Sequence, residues 1–207
     1  MGSEGLFSRP GIPLILASAS PRRRELLSEA GIQFEVFPAN VDETPHPGET
    51  PSQYASRVAR AKAMAVSRVY PRHWILGADT VVFLKDRIMG KPNTEEEACE
   101  MLRHLSGCQH EVLTAVTLMR FKSTTQIDID EFNVVSQVSF RPLSEVEIDD
   151  YVKTREPMDK AGAYAIQGGA AGFVKTYTGS WSNIVGLPIE EVISHLKAID
   201  FYPQSLR

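Results

Sequence analysis

Apolar and polar positions alternate along this chain in blocks of changing period, and each change marks an element. Leu14-Ile-Leu-Ala17 is a short continuous apolar run, read as a strand, and Ser18-Ala-Ser20 turns it into a helix from Pro21 to about Ala30 that Gly31 ends. Gln33 to Pro38 alternates and reads as a second strand, followed by the Pro- and acid-rich loop Asn40 to Pro51. Thr50-Pro-Ser-Gln53 is a capping box that opens a helix to about Val69, with Val58, Ala61, Ala65 and Val69 as its apolar stripe. Trp74 to Leu84 is almost continuously apolar, the pattern of a central strand buried on both faces. Lys85-Asp86 turns it into a hairpin toward Ile88 and Pro92.

Thr94-Glu-Glu-Glu97 predicts a second capping box and a helix to about Leu105, stopped by Ser106-Gly107. His110 to Met119 and Glu131 to Phe140 alternate well and predict an antiparallel pair of strands. Ser144 to Glu147 caps a helix reaching about Thr154, with Asp149 and Asp150 on its solvated face. Glu156 to Gly172 reads as a Gly-rich loop that lacks the dinucleotide-binding fingerprint. A strand at Phe173 to Tyr177 and helical segments at Trp181 to Gly186 and Ile189 to Ile199 close the chain.

Composition narrows the class. The 207 residues are 43% hydrophobic and 23% charged, ordinary for a soluble globular protein of one domain or two small lobes, and the expectation is a single domain over residues 12–207. A net charge of −4 argues against a nucleic-acid binder, which needs a basic field over a whole face. Two cysteines make no disulfide framework, and the expectation is a free-thiol, cytoplasmic protein. No apolar run approaches the ~20 residues a membrane span requires. Residues 1–11 read as a disordered leader.

Four placements carry candidate chemistry. Arg22, Arg23 and Arg24 fill the first turn of a helix, where the dipole is positive and carboxylates are favoured. With Ser18 and the N-cap Ser20 beside them, they make an anion site of phosphate type; a solvated arginine cluster is the plainer alternative. Asp79 lies mid-strand in apolar surroundings, where a carboxylate must be paired, hydrogen-bonded or metal-bound, or cap a turn beside Gly77. Lys62 falls within roughly 40° of Val58 on its helix, so its ammonium either snorkels out or points into a cavity. Lys91, between Gly90 and Pro92, is held in extended backbone suited to a cation facing a cleft.

Three further groups are open or excluded. Asp42 and Glu43 follow a strand end, where a solvated acidic loop is the simpler reading and a divalent-cation pair the other. Gln167, before Gly168-Gly169, can read a polar ring edge or merely occupy a turn. Zinc is rejected for Cys99, His104, Cys108 and His110, because Cys99 and His104 lie roughly 140° apart on one helix.

Taken together, Ser18-Ala-Ser-Pro-Arg-Arg23, Val41-Asp-Glu43, Gly77-Ala-Asp-Thr-Val-Val82, Gly90-Lys-Pro92, Asp159-Lys-Ala-Gly-Ala-Tyr164, Ile166-Gln-Gly168 and Val185-Gly-Leu-Pro188 resemble the Maf family of nucleoside triphosphate pyrophosphatases. The resemblance runs from Leu14 to Leu196. It implies an elongated, mixed-sheet α/β fold like that of the inosine triphosphatase superfamily, with two lobes around a deep cleft. It implies a cytoplasmic hydrolase of nucleotide metabolism that cleaves a nucleoside triphosphate to monophosphate and pyrophosphate with Mg²⁺ or Mn²⁺. Arg22, Thr80 and Gln167 match the specificity positions of the dTTP/UTP branch, with other pyrimidine nucleotides open as substrates.

In that scheme Asp79 is the base and, with Glu43, a metal ligand. Arg22, Arg23, Lys62 and Lys91 bind the phosphates, Ser18 and Ser20 donate to them, and Thr80 and Gln167 read the pyrimidine. The family also implies a homodimer. Its link to septum formation leaves a nucleotide-binding regulator with little turnover as the alternative, and a purely structural module as a third. The intact set Glu43, Lys62, Asp79 and Lys91 speaks for the enzyme.

Overall fold

A change in the side on which successive strands join the sheet determines where this protein opens. The computed structural model describes residues 13–85, 87–199 and 201, so the expected leader at residues 1–11 lies outside the described residues. Strand β1 (Leu14–Leu16) leads through helix α1 (Pro21–Glu29) to β2 (Phe34–Val36), and helix α2 (Pro51–Ser67) carries the chain back to β3 (Ile75–Leu84). β1 pairs in parallel with β2 on one side and β3 on the other. Right-handed crossovers that leave in opposite directions place their helices on opposite faces. Leu26 and Leu27 of α1 accordingly join the core on one face, and Ala55, Ala59 and Ala63 of α2 the core on the other.

The rest of the sheet is antiparallel. β4 (Arg87–Met89) returns as a hairpin on β3, helix α3 (Glu95–Leu105) follows, and β5 (Gln109–Phe121) pairs with β3 along Ile75 to Phe83. β6 (Ile127–Phe140) pairs with β5, and after helix α4 (Glu145–Lys153) β7 (Val174–Thr178) pairs with β6. The order is β2-β1-β3-β5-β6-β7, a mixed α/β sheet as expected. Helices α5 (Trp181–Val185) and α6 (Ile189–Ala198) complete the face shared with α1, α3 and α4. No helix among the described residues is long and apolar enough to cross a membrane.

Four details differ from the sequence expectation. The buried stripe of α2 is Ala55, Val58, Ala59, Lys62, Ala63 and Val66, while Val69 lies past the helix and is 56% exposed. Alanine on every side gives this helix little contrast, so its rotation is set by what it packs on. The box at α3 closes by half: Thr94 accepts from Glu97 N, but Glu97 turns its carboxylate to Asn93. β5 and β6 run past the expected ends to a tight connection. The Gly-rich loop contains three short 3₁₀ turns, at Glu156–Asp159, Ala161–Ala163 and Gly169–Phe173.

Candidate active site

β1 peels away from β3 after two residue pairs, Ile15 with Ile75 and Leu16 with Leu76, and β4 joins the same edge only at Val82. From Gly77 to Val81 that edge of the central strand therefore has no strand neighbour. It lies beyond the carboxyl end of β1 and midway along β3, at the point where the strand order reverses and where open α/β sheets bind ligands. A cleft of about 1130 Å³ occupies this gap. All ten residues singled out from the sequence line it: Ser18, Ser20, Arg22, Arg23, Glu43, Lys62, Asp79, Thr80, Lys91 and Gln167.

Alternation along β3 sends Asp79 and Thr80 to opposite faces. Asp79 faces α2, where Lys62 Nζ donates to its Oδ1 at 2.8 Å and stands 2.9 Å from Glu43 Oε1. Lys62 therefore points inward, which settles its two readings; it and Asp79 are 8% and 7% exposed. Burial pushes the Asp79 carboxyl above the ordinary carboxylate value, opposed by Lys62 and Arg23 and reinforced by Glu43. At Glu43 burial also raises, but the Lys62 bond and the charges of Lys62, Lys91 and Arg23 win and hold it below its usual value. One pair of carboxylates is thus split into a more basic and a more acidic member.

The loop bearing Glu43 is tied to α2. The Tyr54 hydroxyl donates to Glu43 O at 2.9 Å, and Arg57 donates to Thr44 O and to Glu49. Burial, then Asp79 and Glu43, push the Tyr54 phenol up to about 12, so it remains a donor. Asp42 stays in the loop, accepting from Thr44 N.

On the other face the arginine-loaded helix start separates into different jobs. Arg23 is buried and donates four bonds: Nε to Gly186 O at 2.9 Å, Nη1 to Ala78 O at 2.9 Å and Ser18 Oγ at 3.1 Å, and Nη2 to Thr80 Oγ1 at 3.0 Å. Its guanidinium fills the place of the missing strand and satisfies a β3 carbonyl. Thr80 Oγ1 also contacts Gly186 O at 3.2 Å and Thr114 Oγ1 at 3.0 Å. The side chains of Arg22 and Lys91, by contrast, make no hydrogen bond or ion pair among the described residues, and Lys91 is exposed and lines the cleft. Arg24 is exposed and does not line the cleft.

Ser20 caps α1 by accepting from Arg23 N at 3.5 Å, and Ser18 Oγ accepts from Ser20 N at 3.2 Å. Both hydroxyls use lone pairs in these contacts, which leaves their hydrogens to donate. Gln167 is exposed, and its side chain makes no hydrogen bond among the described residues. The cleft also contains Tyr54, Glu156, Asp159 and Lys160, which sequence reasoning assigned no role. Asp159 and Lys160 lay inside a quoted motif and pair with each other; Glu156, in a patternless loop, gave no signal.

Five cations (Arg22, Arg23, Lys62, Lys91, Lys160) and five carboxylates (Glu25, Glu43, Asp79, Glu156, Asp159) line the cleft, so a bare polyanion meets no net attraction there. A phosphate chain accompanied by a hard divalent cation fits better, because Glu43 and Asp79 converge on a single ammonium and supply the oxygen ligands such a cation takes.

The Maf-like protein family profile matches residues 13–199. The chain is 50% identical to a dTTP/UTP pyrophosphatase of Anaeromyxobacter dehalogenans over 188 residues, 91% of this chain and 94% of that one. It is 48% identical to a dTTP/UTP pyrophosphatase of Geobacter sulfurreducens over 90% of this chain and 96% of that one. Among solved structures, a HAM1 protein from Coxiella burnetii aligns with a TM-score of 0.47 at 16% identity, over 91% of this chain and all of that one.

Proposed function

The chain belongs to the Maf family, and from that premise we propose that it hydrolyses dTTP and UTP to the monophosphate and pyrophosphate. The observation that carries this reading is the buried Asp79–Lys62–Glu43 contact, set in one cleft with the uncommitted Arg22 and Lys91. Binding alone needs no carboxylate buried in a central strand. Hydrolysis gains from a carboxylate whose burial raises its affinity for the proton of the attacking water.

Water attacks the α-phosphorus, and Asp79 takes its proton; the bond from the α-phosphorus to the bridging oxygen breaks and pyrophosphate leaves. Burial favours the protonated form of Asp79 and so makes it the better base of the pair. Lys62 holds Asp79 in place and, with Arg22 and Lys91, offsets the charge that spreads over the phosphoryl oxygens. Arg23 keeps the edge of β3 and the Gly186 turn in position. Ser18 and Ser20 donate to phosphate oxygens.

Glu43 and Asp79 are the residues that would hold Mg²⁺ or Mn²⁺, which when bound neutralises triphosphate charge and polarises the phosphoryl group. Gln167 faces the pyrimidine, whose carbonyl and imide N–H match an amide, and Thr80 is the second residue assigned to the base. We place the enzyme in the cytoplasm, as a homodimer.

Pyrophosphate release measured across a panel of nucleoside triphosphates, with Mg²⁺ or Mn²⁺ and again with chelator, tests this reading. Rapid, chelator-sensitive release from dTTP and UTP supports it. Tight binding without release overturns it in favour of a regulator, and full activity of Asp79→Asn removes Asp79 from its role as base.

A further inference from the structure

We propose that Glu156 is the positioning residue for Gln167, so that recognition of the base passes through a carboxylate that is not itself the reader. The inference rests on the reading of Gln167 as the group facing the pyrimidine. After α4 the chain turns through Arg155 in the left-handed region (φ 63°), and Glu156 N donates to Thr154 Oγ1 at 3.2 Å. The Glu156 side chain then lies inside the turn that carries Gln167. Its Oε2 accepts from Gly169 N at 2.8 Å.

The two glycines are fitted around it. A Cβ on Gly168 would stand 2.5 Å from Glu156 Cδ and overlap a carboxylate oxygen. One on Gly169 would stand 3.1 Å from Oε2 and 2.9 Å from Tyr151 Cε2. The far end of the turn is also held, since the Tyr151 hydroxyl accepts from Ala165 N at 3.0 Å and Ala165 O accepts from Gly168 N at 3.0 Å. Gln167 is thus the unclamped middle of a backbone clamped at Ala165 and Gly169. Its own side chain makes no bond that would orient it, so its place in the cleft depends on that backbone. An ionised acceptor makes the stronger bond to an amide N–H, which suits a carboxylate to a Gly-rich turn that would otherwise be loose.

The test compares kcat/KM for UTP with that for ribose 5-triphosphate, which keeps the phosphates and lacks the base. Gln167→Ala and Glu156→Ala should each lower the UTP-to-ribose-triphosphate ratio, roughly tenfold for one lost hydrogen bond. The double variant should fall no further than the worse single, because both remove the same contact. Glu156→Gln, whose amide oxygen still accepts from Gly169 N, should restore the ratio. Damage to the fold alone would lower both substrates together and leave the ratio unchanged.

If Glu156→Ala does not fold, Gly168→Ala replaces it, since the added methyl displaces the carboxylate and should lower the ratio equally. A ratio unchanged by Glu156→Ala and lowered by Gln167→Ala overturns the proposal, as do effects that multiply in the double variant. A ratio unchanged by Gln167→Ala overturns the reading beneath it, while pyrophosphate release from UTP reports separately on the reaction.

Discussion

Gly77 and Ala63 are packed so closely that a methyl group on the glycine would stand 2.9 Å from the alanine Cβ and 2.8 Å from its backbone nitrogen. It would also overlap the carbonyl oxygen of Ala59. Helix α2 therefore lies directly on the central strand at this point, and Lys62, next to Ala63, reaches Asp79, two residues beyond Gly77 on the same face. The closest approach in the core and the ion pair in the cleft have one cause.

Gly77→Ala should for that reason damage both stability and activity. The obstacles are backbone atoms of a helix, which cannot move aside as a flexible side chain would. Overpacking of this kind costs about 1–3 kcal/mol, or more where backbone must shift. Thermal unfolding should show a lowered Tm, and kcat should fall more than KM rises as the lysine draws back from Asp79. Unchanged kcat would separate helix packing from the ion pair.

Lys62 occupies the space between two carboxylates that would otherwise repel each other. Its removal in Lys62→Met leaves Glu43 and Asp79 facing one another without a cation. Two outcomes are expected: kcat falls by about 10²-fold or more, and Mn²⁺ binds the nucleotide-free protein more tightly than it binds wild type. Calorimetric titration with Mn²⁺ measures the second independently of turnover. Equal Mn²⁺ affinity in the two proteins would show that the metal does not compete with the lysine for these oxygens.

Arg22 and Arg23 are neighbours in sequence and should differ sharply when mutated. Arg23→Ala strands the buried carbonyl of Ala78, leaves that of Gly186 with only the longer Thr80 contact, and removes the bonds to Ser18 and Thr80. The expected loss is about 3 kcal/mol, or roughly 10 °C in Tm for a chain of this size. Arg22→Ala breaks no bond among the described residues, so Tm should stay within about 1–2 °C while KM for the triphosphate rises. A thermal melt and a saturation curve on each variant decide the division.

That division also shows what the sequence can and cannot convey. Capping residues such as Ser20, Thr50 and Ser144 place helix starts because the chemistry is local to three or four residues. Asp79 and the arginine-loaded turn stand out because each is costly unless a partner compensates it, and a costly placement is visible without coordinates. The separate roles of Arg22 and Arg23 are not visible, since both sit in the same first turn and only the gap beside β3 selects the one that turns inward. Helix α2 hides its buried face behind alanines at 55, 59, 61, 63 and 65, and Gly77 makes the choice from another element. Glu156 belongs to a turn whose shape comes from Gly168 and Gly169, ten residues and more along the chain.

His110 predicts how the fold responds to acid. It is 1% exposed on β5, bonded at 2.8 Å to the Tyr164 hydroxyl and packed edge-on against Phe140 and Tyr164. Burial pushes its imidazole down to about 4 from an ordinary 6.5. Between those values the unfolded chain binds a proton that the folded one does not, so stability is full above pH 6.5 and falls as pH drops toward 4. The loss from this residue is about 3 kcal/mol. Asp79 works in the opposite sense, because its raised value makes the folded state take the proton before the unfolded chain does as pH falls. A His110→Gln variant isolates the histidine from that background. Denaturant unfolding at pH 7, 6, 5 and 4 should give wild type a steeper loss than the variant across this window, even if the variant is less stable at pH 7. Parallel pH dependences in the two proteins would mean that His110 takes up its proton without unfolding.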